Sequence, residues 1–376
     1  MKAQRTANIY HLGIKELWSL IRDPILLVLI VFAFTGMVYT AATAMPDGLQ
    51  NASIVFVDED RSTLSNRIKT AFYPPEFTKP HDINLDEMDR GLDKGEYTFV
   101  VNIPPYFQKD VMAGKQPSIQ LNIDATRMSQ AFTGNMIVNQ IINGEVSEFL
   151  ERARTPVEYP VTIEERMRFN ANLTASWFGA LIEVINLITL LAIVLTGAAL
   201  IREQEKGTVE HLLVMPLTPF EIMLSKIWSM GMVVLISATL SLIFIVKGAL
   251  NVPIIGSIPL FLLGSVLHLF AISSIGIYLA TIARNMPQFG MLMLLVLIPL
   301  QMLSGGMTPR ESMPEIIQNI MLIAPTTHFI ELSKAILFKD AGFAIVWQQF
   351  LMLLIIGIVF FYFAHKRFRS TISKMA

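Results

Sequence analysis

Hydrophobic residues in this chain are gathered into six long runs that hold almost no charged side chain. The runs cover residues 24–46, 177–201, 227–246, 251–283, 285–309 and 341–364. A helix needs about 20 apolar residues to cross the hydrocarbon core of a bilayer, and each run reaches that length. The pattern therefore predicts six transmembrane helices, the first at 24–45 and the other five within 176–364.

The segment before the first run, residues 1–23, mixes apolar and charged positions at roughly helical spacing. It predicts an amphipathic helix along the cytoplasmic membrane interface, with Trp18 on its apolar side and Pro24 ending it. An ordinary helical extension of the first span is the alternative. The first run is longer than the core of a signal peptide, so we expect an uncleaved span.

A more polar stretch, residues 46–175, lies between the first two runs and predicts a separate domain. Its short apolar runs and turn residues predict strands at 53–57, 97–103 and 118–124 and helices at 61–72, 85–93 and 126–153. The predicted fold class is therefore an α-helical integral membrane protein with six transmembrane helices and an inserted α/β extracytoplasmic domain between spans 1 and 2. We expect that domain to fold by itself and to dock to a partner protein.

Composition agrees with a membrane protein and excludes several classes of function. Hydrophobic residues make up 53% of the chain, charged residues make up 16%, and the mean hydropathy is +0.53. These values are too apolar for a soluble domain. The formal net charge of −1 gives no support to nucleic-acid binding. Because the chain has no cysteine, it has no disulfide framework, thiolate metal site or cysteine nucleophile, and we expect no metal site.

The distribution of lysine and arginine sets the expected orientation. Basic residues lie in the segment 1–23, in the loop 202–226 and in the tail 365–376. These segments and both termini are therefore predicted to be cytoplasmic, and residues 46–175 lie outside. We expect a multi-pass protein of the inner (plasma) membrane, in contact with membrane lipid.

One acidic residue, Glu183, lies within a predicted span. A charge at that depth is costly and by default suggests function. Asn186 and Thr189 follow at helical spacing on the same face, so the three residues predict a polar patch on a substrate path. An interhelical hydrogen-bond cluster is an equally supported alternative. For the isolated His268 we expect packing or a satisfied hydrogen bond rather than a proton relay.

The charged stretch after the second span, residues 202–219, reads Arg-Glu-Gln-Glu-Lys-Gly-Thr-Val-Glu-His-Leu-Leu-Val-Met-Pro-Leu-Thr-Pro. Gly207 stops one helix, Thr208 caps the next, and Glu210 falls in the first turn, where a carboxylate is favoured. This stretch resembles the signature R-E-[RQ]-E-x-G-T-x-E-x-L-L-x-x-P of the ABC-2 type permeases of ATP-driven exporters.

A second stretch supports the resemblance. Ser304-Gly305-Gly306 and Ala324-Pro325-Thr326 are similar to the outer segment between spans five and six of the same family. The run at Ser304 also looks like the LSGGQ motif of ABC ATPases, but the chain has no phosphate loop, which argues against an ATPase. Within residues 305–335 an apolar run is too short to span, so we expect a re-entrant segment broken at Pro325.

The resemblance implies a permease subunit of an exporter of hydrophobic or amphipathic compounds, without enzymatic activity of its own. ATP and Mg would be bound on separate cytoplasmic ABC ATPase subunits. A second permease copy or homologue and a periplasmic adaptor protein are further expected partners. The implied ATPase-coupling residues are Arg202, Glu203, Glu205, Lys206, Gly207, Thr208, Glu210, Leu213 and Pro216. The implied outer gate consists of Ser304, Gly305, Gly306 and Pro325.

Two other functions stay open from the residues alone. An ion-gradient-driven secondary transporter usually has internal repeats and several ionisable groups near the bilayer midplane, and the sequence shows no repeat. A membrane-anchored sensor would use the 46–175 domain to bind a signal, but it does not need the patterned loop at 202–219.

Overall fold

The computed structural model of the chain describes residues 2–44, 49, 51–124, 128–153, 175–205 and 217–372. The chain forms two compact units. The membrane unit combines Met1–Met45 with Ser176–Ala376, and the inserted unit is Pro46–Ala175.

Helices dominate the described residues, and four short strands form one sheet. In chain order the helices are α1 (Lys2–Ile21), α2 (Pro24–Ala44), α3 (Thr63–Thr70), α4 (Leu85–Asp93), α5 (Phe107–Met112), α6 (Met128–Ala153), α7 (Ala175–Glu205), α8 (Pro219–Ala249), α9 (Ile258–Ile282), α10 (Met286–Leu303), α11 (Glu315–Ile323), α12 (Pro325–Lys339) and α13 (Phe343–Ile372). The strands are β1 (Ile54–Asp58), β2 (His81–Asp82), β3 (Phe99–Ile103) and β4 (Gln120–Ile123).

Six helices of the described residues are long and apolar enough to cross a membrane: α2, α7, α8, α9, α10 and α13. The six predicted spans are therefore confirmed. A proline stands in the first turn of α2, α8, α9 and α10. At that position its missing N–H costs no helical hydrogen bond, so the prolines fix where these spans begin.

The segment before the first span is helical, as its spacing predicts. α1 ends at Ile21, and the next helix begins at Pro24. Asp23 stands between them, and its Oδ1 accepts a hydrogen bond from the backbone N–H of Leu26 over 3.2 Å. Trp18 is exposed on α1, with the guanidinium of Arg22 5.8 Å from its ring centroid.

The helices that flank the predicted loop 202–226 extend further into it than the apolar pattern indicates. α7 continues to Glu205 and α8 begins at Pro219, so the connection is shorter than predicted. The helical turns beyond the apolar runs contain charged residues, and a hydropathy pattern alone places such residues in a solvent-exposed loop. Long side chains that pair with neighbouring helices allow the helices to continue past the apolar runs.

A sharp bend separates α11 from α12, whose axes differ by 91°. Ala324 lies at the break and Pro325 is the first residue of α12. Proline favours this position because its ring fixes φ and its nitrogen has no hydrogen to donate. The bend therefore lies where the sequence predicts a break in a segment too short to cross the membrane.

The inserted unit contains a four-stranded sheet with the order β2-β1-β3-β4. β1 pairs in parallel with β2 and β3, whereas β3 and β4 are antiparallel. One face of the sheet buries Ile54, Phe56 and Phe99 in a core that includes residues of α6. The opposite face buries Val55, Val57 and Val100 against residues around α4.

The carboxylate of Asp58 joins the end of β1 to α3. Its Oδ1 accepts the backbone N–H of Arg61 over 2.9 Å. Its Oδ2 accepts the hydroxyl of Ser65 over 2.8 Å and lies 3.0 Å from Nζ of Lys69. The acidic residue at the end of this strand therefore fixes a turn and the following helix.

Candidate functional site

An ion cluster of four residues joins three helices at the end of the membrane unit that carries the patterned loop. The cluster consists of Lys15 and Glu16 on α1, Glu203 on α7 and Lys226 on α8. Nζ of Lys226 lies 2.8 Å from Oε1 of Glu16 and 2.8 Å from Oε2 of Glu203. Nζ of Lys15 lies 2.9 Å from Oε1 of Glu203.

Because three of its four residues are buried, this ion cluster stabilises the packing of the three helices. Lys226 is 1% exposed, and Glu16 and Glu203 are also buried. A buried charge that loses its partner is strongly destabilising, so each residue depends on the others. Burial lowers the pKa of Lys15, but the neighbouring Glu203 and Glu16 outweigh this effect and the pKa is raised. Lys15 therefore stays charged, and α1, α7 and α8 are held together.

Close packing of α1 on α8 reinforces the ion cluster. The indole N–H of Trp228 donates a hydrogen bond to the carbonyl of Ile9 over 3.1 Å. The ring of Tyr10 stacks on the same indole with 6.2 Å between centroids. A Cβ added at Gly13 would lie 2.1 Å from the Trp228 ring, so only glycine allows this approach.

The structure describes three of the predicted coupling residues, and each has a partner on another helix. Glu203 belongs to the ion cluster. Nη1 of Arg202 lies 3.8 Å from Oδ2 of Asp23 at the start of α2. Oε1 of Glu205 accepts the backbone N–H of Met286 over 2.8 Å at the start of α10. The other predicted coupling residues lie outside the described residues: Lys206, Gly207, Thr208, Glu210, Leu213 and Pro216.

Sequence reasoning missed the partners of Glu203. Lys226 ends the predicted loop and Glu16 lies on the polar side of a predicted interface helix, so both were expected in a solvated setting. Their hydrogen bond spans 210 positions of sequence, which no local pattern reveals. One signal was present in the sequence, because Lys226 directly precedes the apolar run 227–246.

The predicted substrate-path residues follow one another along α7. Glu183 and Asn186 are three residues apart, so their side chains lie on the same side of the helix. The hydroxyl of Thr189 donates to the carbonyl of Ile185 over 2.9 Å and lies 3.0 Å from Nε2 of His268. Thr189 is fully buried, whereas Glu183 and Asn186 are half-buried. Thr189 therefore takes part in an interhelical hydrogen bond, while the first two residues stay accessible.

His268 connects this polar face to the predicted outer gate. Its ring stacks on Phe329 with 4.2 Å between centroids and 9° between planes. Phe329 lies one turn after Pro325 on α12, so the ring packs beside the bend. Thr326 directly follows Pro325, and its hydroxyl hydrogen-bonds to the hydroxyl of Ser304. Two sets of residues that were predicted separately thus lie on either side of the contact between His268 and Phe329.

Three of the four predicted outer-gate residues, Ser304, Gly305 and Gly306, line a cavity of about 360 Å³ at the end of α10, and Pro325 does not line it. Gly305 has φ of +88°, a conformation that favours glycine. Its carbonyl accepts a hydrogen bond from Nζ of Lys334 over 2.9 Å. Nη1 of Arg310 lies 3.2 Å from Oε1 of Glu331 on the same cavity wall. Gly306 packs closely against Ile182 and Ile330 of the bundle.

Six described helices that are long and apolar enough to cross a membrane define the class of multi-pass membrane proteins. The chain belongs to the ABC-2 family transporter proteins, whose family pattern it matches over residues 19–366. It is 62% identical over 369 residues to the inner membrane transport permease YhhJ of Escherichia coli (strain K12), covering 98% of this chain and 99% of that protein. It is 28% identical over 346 residues to the probable multidrug ABC transporter permease YbhR of Escherichia coli (strain K12), covering 91% of this chain and 93% of that protein.

These relatives confirm the family resemblance that the loop at 202–219 indicated. The chain is the permease subunit of an ABC transporter and a multi-pass protein of the inner membrane. Membership of the family implies a cytoplasmic ABC ATPase as partner.

Proposed function

We propose that this permease exports a hydrophobic or amphipathic compound from the cytoplasm or the inner leaflet of the membrane. ATP and Mg are bound on separate ABC ATPase subunits, and a second permease copy or homologue completes the transport path. The name of the relative YbhR, a probable multidrug ABC transporter permease, supports a drug-like substrate. Both termini and the loop 202–226 face the cytoplasm, because the segments 1–23, 202–226 and 365–376 carry lysine and arginine.

The ion cluster carries the proposal, because it joins the two helix ends that flank the loop 206–216. Glu203 lies in the last turn of α7, and Lys226 lies near the start of α8. Their ion pair connects the two ends directly, and Glu16 adds α1 to the same group. A force that an ATPase applies to the loop would therefore move three helices together rather than bend one of them.

This arrangement favours ATP-driven export over the two alternatives. A proton or sodium path needs charged groups that change partners, whereas Lys226 is 1% exposed and held between two acids. A membrane-anchored sensor does not require an ion cluster that joins the ends of two spans and α1 next to the loop motif. ATP-driven coupling uses each of these features.

Charge reversal at Glu210 tests the coupling element. Glu210→Lys alters the patterned loop, and it should reduce co-purification with the ABC ATPase and abolish substrate-stimulated ATP hydrolysis. Membrane insertion should persist because no span is altered. Glu205 is a poorer choice, since its carboxylate also holds the start of α10.

The matched control is Glu315→Lys, which makes the same change at an exposed acid in the first turn of α11. This variant should associate with the ATPase and stimulate hydrolysis as the wild type does. If Glu210→Lys also keeps wild-type association and stimulation, the loop is not the coupling element.

A further inference from the structure

A single accessible face runs along α7. Between Ala180 and Ile201 every residue of this helix is buried except five. These five are Glu183, Asn186, Leu190, Val194 and Ala198. They are spaced three or four positions apart, so they lie on one side of the helix. We call this side the α7 face.

The α7 face has a polar end and an apolar end. Glu183 and Asn186 supply a carboxyl and an amide, and the remaining three residues are aliphatic. A carboxyl group exposed to hydrocarbon is costly, and intramembrane ionisable residues usually face a protein interior or a water-filled cavity. The α7 face therefore does not suit a lipid contact, and under the export function proposed above it lines the path of the transported compound.

Glu183 also differs in its partners from the two acids of the ion cluster. The buried Glu16 and Glu203 are both held by lysine. Glu183 shares its accessible face with the amide of Asn186, and no basic side chain pairs with it within the part of the chain that the structure describes. Its carboxyl group is therefore available to a positively charged group on a bound molecule.

We propose that Glu183 is the counter-ion for a positively charged group on the transported compound, and that this permease selects amphipathic organic cations. Asn186, three residues further along the same helix face, places an amide beside this carboxyl group. Leu190 and Val194 contact the apolar body of the same molecule one and two turns further along α7. This inference rests on the proposed export function for the direction of movement, but cation binding at Glu183 is a property of this chain alone.

A pair of probes with nearly the same shape and opposite charge tests this proposal. Tetraphenylphosphonium and tetraphenylborate differ in the sign of their charge, and each can be measured with purified permease in lipid nanodiscs, with protein-free nanodiscs as the blank. No ATPase and no ATP are needed, so the result does not depend on coupling or export. We expect saturable binding of the cation and of ethidium, and much weaker binding of the anion.

Glu183→Gln should weaken binding of both cations by about tenfold or more, because it removes the charge and keeps the shape. Glu183→Asp should restore part of the affinity. Glu315→Gln removes an exposed acid elsewhere in the membrane unit and should bind as the wild type does. The proposal is overturned if the wild type shows no saturable preference for either cation over the anion, or if Glu183→Gln binds the cations with wild-type affinity.

Discussion

Replacing Lys226 by methionine removes the central charge of the ion cluster and keeps most of the volume of the side chain. Nζ of Lys226 lies 2.8 Å from an oxygen of both Glu16 and Glu203, and the residue is 1% exposed. Removing one partner from a buried ion pair costs about 3–5 kcal/mol. Lys15 stays 2.9 Å from Oε1 of Glu203 and offsets part of the loss. We therefore expect Lys226→Met to lower the free energy of unfolding by about 3 kcal/mol.

Unfolding of the purified chain in mixed micelles, titrated with dodecyl sulfate and followed by circular dichroism, measures this change. Lys247→Met makes the same substitution at an exposed lysine of the same helix and should stay within about 0.5 kcal/mol of wild type. Adding Glu16→Gln and Glu203→Gln to Lys226→Met should recover most of the lost stability, because no buried charge is then left unpaired. Equal unfolding free energies for Lys226→Met and Lys247→Met would refute the role given to the ion cluster.

Two further predictions concern single positions. A Cβ at Gly13 would lie 2.1 Å from the Trp228 ring, so Gly13→Ala should cost about 1–3 kcal/mol of unfolding free energy; Gly290→Ala, where a Cβ meets no described atom within 4 Å, is the control. In the inserted unit, burial raises the pKa of Asp58, but the Arg61 N–H, Lys69 and Ser65 outweigh this effect and lower the pKa. A lowered carboxyl pKa stabilises the fold above the unfolded value and loses that contribution as pH falls through the folded value. Hydrogen-exchange protection of α3 should therefore decline below about pH 4, and Asp58→Asn should remove that pH dependence.

The spans and the larger elements of the inserted unit were predictable because their patterns are local. An apolar run of membrane length marks each span, short apolar runs mark β1 and β3, and alternating residues mark β4. β2 and α5 were missed, since β2 has two residues and α5 has six, too few for a period to appear. β2 is defined by its pairing with β1, which is a tertiary contact.

The candidate site was predictable only in part, because several of its contacts join residues that are far apart in the sequence. The motif at 202–219 identified the family, and the position of Glu183 within a span identified a polar face. The pairing of Glu203 with Lys226 and Glu16 was not predictable, because it depends on how α1 packs against two spans. The contact between Thr189 and His268 is similar: each residue was noticed alone, and only the fold brings them within 3.0 Å.

Transport in inside-out vesicles tests the central claim of an ATP-driven exporter most directly. The vesicles contain this chain together with its ABC ATPase, and ionophores dissipate the proton and sodium gradients. Uptake of a panel of fluorescent amphipathic dyes should then require ATP and should stop when a non-hydrolysable analogue replaces it. Uptake that continues without ATP and follows an imposed ion gradient would contradict the account.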